Sequence, residues 1–71
     1  MKPKHYQATC NPITRTWGYT TPTGEVDQIH SERLAWKLAK SNEYQDRETA
    51  AHGGPFAAIL REYFEQEEAA V

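Results

Sequence analysis

Phe56, Ile59, Leu60, Tyr63 and Phe64 recur at i, i+3, i+4, i+7 and i+8, the period that gathers side chains onto one face of a helix. No other stretch of the 71 residues is so strongly patterned. Gly53 and Gly54 precede this segment, and Pro55 suits its first helical position, where a missing N–H costs nothing. The acidic run from Glu65 to Val71 is expected to fray, because carboxylates at a helix C-terminus oppose its dipole. A helix with one apolar face must bury that face against something else in the chain.

A small sheet is the available partner. From His5 to Cys10, Tyr6, Ala8 and Cys10 alternate with His5, Gln7 and Thr9, as in a half-buried strand. Asn11, Pro12, Ile13 and Thr14 read as a turn with proline at its second position, and the stretch from Arg15 to Thr20 is rich in β-formers. A turn centred on Pro12 and Ile13 sets Tyr6 opposite Tyr19, Ala8 opposite Trp17 and Thr9 opposite Thr16. In that register Cys10 is a small buried hydrophobe, and Trp17 and Tyr19 bury against Phe56, Leu60 and Phe64. A second turn, from Thr21 to Gly24, leads to a short third strand over residues 25–29 that places Val26 near Tyr19.

Ser31 is a plausible N-cap, with Glu32 following in the first turn. Leu34, Ala35, Leu38 and Ala39 share one face of the helix it starts, which is expected to end near Ser41 and Asn42. The polar residues 43–48 then form a loop around Tyr44. Asp46 caps a single turn through Thr49 and His52, and Gly53 closes it. The expected architecture is α+β: a small antiparallel hairpin or three-stranded meander on two helices, ββ(β)αα, within one domain.

Trp36 falls outside the apolar stripe, toward Arg33, Lys37 and Lys40. It is either covered by the hairpin tip or the Tyr44 loop, or it anchors an interface, since Trp, Tyr and Arg are enriched at binding hot spots. The charge is also unevenly spread. Residues 1–40 hold six cations and three acids, a net +3, whereas residues 41–71 hold two cations and seven acids, a net −5. One acidic face, around Glu62 and Glu65, could therefore meet a basic partner, and the C-terminal helix would repel duplex nucleic acid.

Candidate chemistry is sparse. Cys10, His5, His30 and His52 are the soft or borderline metal ligands, and none has a ligand-type spacing. Cys10 lacks a neighbouring base that would make it a nucleophile. The Gly53-Gly54-Pro55 opening offers backbone N–H groups at a helix start, in principle an anion site beside His52, but lacks the lysine and hydroxyl of a phosphate loop, and so reads first as a hinge or tight turn. Glu67 and Glu68 sit where nothing raises a carboxylate pKa. The outer face of the hairpin carries threonines suited to solvent, and its free edge could pair with a partner strand. No enzyme, metal or cofactor is expected.

The single cysteine excludes an internal disulfide, and no apolar run suits a signal peptide or a membrane span. The opening Met1-Lys2-Pro3-Lys4 looks like a native terminus, and the chain reads as cytoplasmic. Few sizeable apolar residues are available against the entropy of ordering so short a chain, so docking on a larger protein or complex, or a homodimer, is expected. The leading expectation is a non-enzymatic protein-binding module, of the kind phage or mobile elements use to inhibit or modulate host defence or nucleic-acid-handling machinery. Trp36, Arg33, Lys37, Lys40, Glu62 and Glu65 are its candidate contacts. The alternative is a nucleic-acid-binding module in which Trp17, Tyr19 and Trp36 stack on bases while Arg15, Arg33, Lys37 and Lys40 meet phosphates.

Overall fold

The computed structural model describes residues 4–69. Strands β1 (Thr9–Asn11), β2 (Thr16–Thr21) and β3 (Gly24–Ile29) precede helices α1 (Glu32–His52) and α2 (Ala57–Ala69). The strands form one antiparallel sheet in the order β1-β2-β3, so the fold is the expected α+β arrangement with the third strand in place.

β1 is shorter than its alternation suggests because the chain kinks at Tyr6, whose φ of 63° lies in the left-handed region. That conformation costs of order 1–3 kcal/mol in a non-glycine residue. The Tyr6 N–H donates to the Thr20 carbonyl at 2.9 Å, which holds the kink against β2 and sends the ring into the core. The first register also differs from expectation: Thr9 pairs with Gly18, Cys10 with Trp17 and Asn11 with Thr16. The turn is wider by two residues. Asn11 Oδ1 accepts the Ile13 N–H at 3.0 Å, its carbonyl accepts the Arg15 N–H at 2.8 Å, and Arg15 adopts a φ of 59°. These bonds stabilise a four-residue loop over the two-residue one. Cys10 lies in exposed β1, so it is not the buried hydrophobe that alternation implied.

The second hairpin follows its sequence closely, with Thr21 opposite Gly24 and Val26 opposite Tyr19. Val26 and Ile29 are three residues apart, so plain alternation would point them to opposite faces. A bulge removes the conflict. Asp27 and Gln28 together oppose Gly18, Gln28 has a φ of 62°, and Ile29 pairs with Trp17. Ile29 thereby joins Tyr19 on the helix-facing side and is buried. The bulged backbone crowds Gly18, where a Cβ would lie 2.4 Å from the Val26 carbonyl oxygen.

α1 is a single uninterrupted helix of 21 residues, and the expected break near Ser41 with a loop over residues 43–48 does not occur. No glycine or proline lies between Glu32 and His52. Lys40 and Arg47 both approach Glu43 at 3.6 Å, and such i,i+3 and i,i+4 pairs carry a polar helix through. Ser31 caps it as expected, its Oγ accepting the Leu34 N–H at 3.2 Å. Asp46 lies mid-helix and is no cap. At the far end Gly53, with a φ of 93°, donates its N–H to the Thr49 carbonyl at 2.8 Å. Arg61 Nε donates to the otherwise open Ala50 carbonyl at 2.6 Å. α2 begins at Ala57, after Pro55 and Phe56, and continues helical through Glu65 and Glu68 to Ala69, where fraying was expected; Val71 lies outside the described residues.

Two apolar clusters result. Tyr19, Ile29, Ala35 and Ala39, with Ala8 and Trp17 alongside, join the sheet to the N-terminal half of α1. Tyr6, Ala50, Leu60 and Phe64, with Tyr63 against them, join the N-terminal segment to both helices. Trp17 and Tyr19 therefore pack on α1, which corrects the expectation that they bury against Phe56, Leu60 and Phe64 of α2. Tyr hydroxyls set the roll of α1: Tyr19 donates to Asn42 Oδ1 at 3.1 Å and Tyr6 to Asp46 Oδ2 at 2.7 Å. With Asn42 and Asp46 inward, Ala35, Ala39 and Ala50 are buried, and Leu34 and Leu38 are left on an exposed flank. α2 likewise buries only a narrow stripe, Ala57, Leu60 and Phe64. Phe64 stacks on Tyr6 with ring centres 6.0 Å apart and planes 7° from parallel, while Phe56 and Ile59 remain 55% and 48% exposed.

Leu60→Ala should cost about 2–5 kcal/mol, whereas Ile59→Ala should stay within about 0.5 kcal/mol; equal urea midpoints for the two variants would mean that the buried face of α2 is misassigned. Gly18→Ala forces a side chain into backbone and should cost roughly 1–3 kcal/mol. A Gly18→Ala protein as stable as the parent would be incompatible with the bulge.

Candidate interaction surface

The continuity of α1 decides what its outer face presents. Arg33, Trp36, Lys37 and Lys40 fall at i, i+3, i+4 and i+7, and Tyr44 one further turn along at i+11, so one ridge carries all five. Trp36 is 37% exposed and Tyr44 68% exposed. Lys40 Nζ lies 5.6 Å from the centre of the indole, within cation–π range, and its stem shelters part of the ring. Tyr44 and Arg47 belong to this surface, yet the sequence reading placed them in a loop. Their signal was the absence of a helix breaker together with the Lys40, Glu43, Arg47 spacing.

Arg33 and Lys37 are exposed and form no ion pair among the described residues. Their position is unfavourable for the helix itself. A cation in the first turn opposes the macrodipole by about 0.3–1 kcal/mol; Arg33 lies in that turn and Lys37 just beyond it. Arg47 is more tightly held, its guanidinium carbon 4.4 Å from the centre of the Phe64 ring.

Glu62 and Glu65 lie on exposed α2, away from this ridge and in different grooves. Glu65 borders a shallow groove with Arg47, Arg61 and Phe64. Glu62 lines a cavity of about 250 Å³ between the second hairpin turn and α2, with His5, Pro22, Ile59, Tyr63 and Glu67. His5 is fixed there, its Nδ1 2.8 Å from Thr20 Oγ1 and its ring edge-on to Tyr63 at 4.8 Å. Burial lowers the His5 pKa, opposed by the Glu67 charge. The Tyr63 hydroxyl donates to Glu67 Oε1 at 2.9 Å, and burial followed by that bond raises the phenol. Tyr6 is raised by burial and then by its bond to Asp46. Tyr19 is raised by burial and the Asp46 charge.

These perturbed groups are phenols and one imidazole engaged in packing. Cys10, His30 and His52 lie apart on β1, after β3 and at the end of α1, and among the described residues no three His, Cys, Asp or Glu side chains come together to hold a metal ion. The paired glycines terminate α1 and turn the chain into α2. Among the described residues no helix is long and apolar enough to cross a membrane. No family model, curated protein or solved structure matches this chain.

Stability should form a plateau bounded by these groups. Phenols kept protonated in the fold but ionising near the ordinary 10.0 when unfolded contribute fully below that pH, and stability is lost as pH rises past it. His5 gives the opposite edge: the unfolded chain takes up a proton first as pH falls through the ordinary 6.5, so stability is lost below that value. Urea midpoints measured across this range should fall at both ends, and His5→Gln should flatten the decline just below 6.5. A midpoint unchanged above pH 10 would contradict the buried, hydrogen-bonded phenols.

Proposed function

We propose that this chain is a small non-enzymatic binding module that docks on a larger protein or protein complex through the outer ridge of α1. The observation that carries this reading is the juxtaposition of exposed Trp36 and Tyr44 with Arg33, Lys37 and Lys40 on one rigid helix. Aromatic rings supply contact area at low entropic cost and dominate hot spots, and flanking cations steer an acidic surface into place. Arg33 in the first turn weakens the helix it sits on, which supports a role outside the fold. An accessory role on a larger assembly is the form of this function that so small a chain favours.

Trp36→Ala and Tyr44→Ala should each weaken binding by roughly thirtyfold, the effect of losing an anchor worth about 2 kcal/mol. The Tyr44 variant should melt within about 0.5 kcal/mol of the parent, as expected for an exposed position. The measurement is capture of proteins from lysate on the parent and on both variants, with nuclease treatment, and with Glu62→Gln as a control. Species retained by the parent and the control but lost from both variants support the reading. Species held equally by all would move the interface to the acidic face around Glu62 and Glu65, and capture abolished by nuclease would favour nucleic acid.

A further inference from the structure

We propose that the α1 ridge of one copy docks on the outer face of α2 of a second copy, and reciprocally, so that the free protein is a two-fold dimer. This rests on the reading of α1 as a binding ridge and names a second copy of the chain as an occupant that competes with the larger partner.

Three observations converge. First, both helices carry charge at the end where their own dipole disfavours it: Arg33 in the first turn of α1 and Glu67 and Glu68 in the last turn of α2, with Lys37 and Glu65 next to them in sequence order along each helix. Each helix would gain by lying against the other's opposite charge. Second, α2 covers only part of α1. The two run antiparallel, with Arg61 on Ala50 and Phe64 under Arg47, and at 13 residues against 21 α2 is shorter by about 12 Å. The apolar cluster at Ala35 and Ala39 contains no α2 residue. The α1 segment bearing Arg33, Trp36 and Lys37 therefore projects beyond its own partner helix.

Third, the faces are complementary in detail. The outer side of α2 exposes Ile59 with Glu62 one turn beyond it, Glu65 flanks it on the side of the Arg47 and Arg61 groove, and neither carboxylate is in an ion pair among the described residues. Arg33 and Lys37 are about 6 Å apart along α1, and Glu62 and Glu65 about 4.5 Å apart along α2. Pairing these unengaged charges leaves Ile59 as apolar surface for Trp36. In a two-fold arrangement every such contact occurs twice.

The test is sedimentation equilibrium over a concentration series on the full chain and two charge-reversed variants, Arg33→Glu/Lys37→Glu and Glu62→Lys/Glu65→Lys, each confirmed folded by circular dichroism. The parent should be a dimer that weakens as salt rises. Either variant alone should be at least tenfold weaker in self-association, since each then presents like charges across both contacts. Their equimolar mixture should restore the dimer, because acidic α1 and α2 of one variant meet basic α2 and α1 of the other. Should a reversed variant fail to fold, the neutral pairs Arg33→Gln/Lys37→Gln and Glu62→Gln/Glu65→Gln carry the same comparison without the rescue. A monomeric parent, variants that dimerise as the parent does, or a mixture that stays monomeric would overturn the dimer. None of these results alters the Trp36 and Tyr44 capture experiment, which stands or fails by itself.

Discussion

The fold turns on two polar side chains in the middle of α1. Asn42 Nδ2 donates to Asp46 Oδ2 at 3.0 Å, and this pair receives the hydroxyls of Tyr19 and Tyr6, each from a different apolar cluster. The sheet cluster and the α2 cluster share no residue, so these bonds tie the two halves of the core to one element. Buried polar groups are costly when unpaired and specific when satisfied. Among the described residues no buried side-chain polar atom lacks a partner. The position of α1 is thus set by directed bonds, and its alanines let the sheet approach closely enough to make them.

That arrangement explains what the helix leaves outside. An α1 rolled to put Asn42 and Asp46 inward cannot also bury Leu34 and Leu38, and it turns Trp36 and Tyr44 to the solvent side. Arg47 and Arg61 then fasten α2 by contacts with the Phe64 ring and the Ala50 carbonyl. The exposed ridge is a by-product of satisfying two tyrosines.

Element types were legible because they depend on local chemistry. Ser31 marks the start of α1, Thr21 to Gly24 marks the second turn, and Val26 meets Tyr19 as alternation requires, whereas the end of α1 at Gly53 was expected near Ser41 and Asn42. Pairings and helix rolls were not legible, because they depend on bonds between distant residues. The Tyr6 kink reads as ordinary strand, and the bulge opposite Gly18 reads as plain alternation. The stretch from Glu43 to Glu48 looks like a loop by its polarity, although its charges are spaced for a helix. Trp36, Arg33, Lys37 and Lys40 could be grouped from helical phase alone, whereas Tyr44 joined them only once α1 proved continuous.

The bulge in β3 also governs how the sheet ends. A flat outer strand would present an open row of backbone donors and acceptors on which further chains could stack. β3 is instead kinked at Gln28 and carries Glu25 and Asp27, and the opposite edge is a three-residue strand running into Pro12. Both margins are poor templates for strand addition. Any association of this protein is thereby steered away from open-ended, fibre-forming growth and toward contacts through its helices, which can close on themselves.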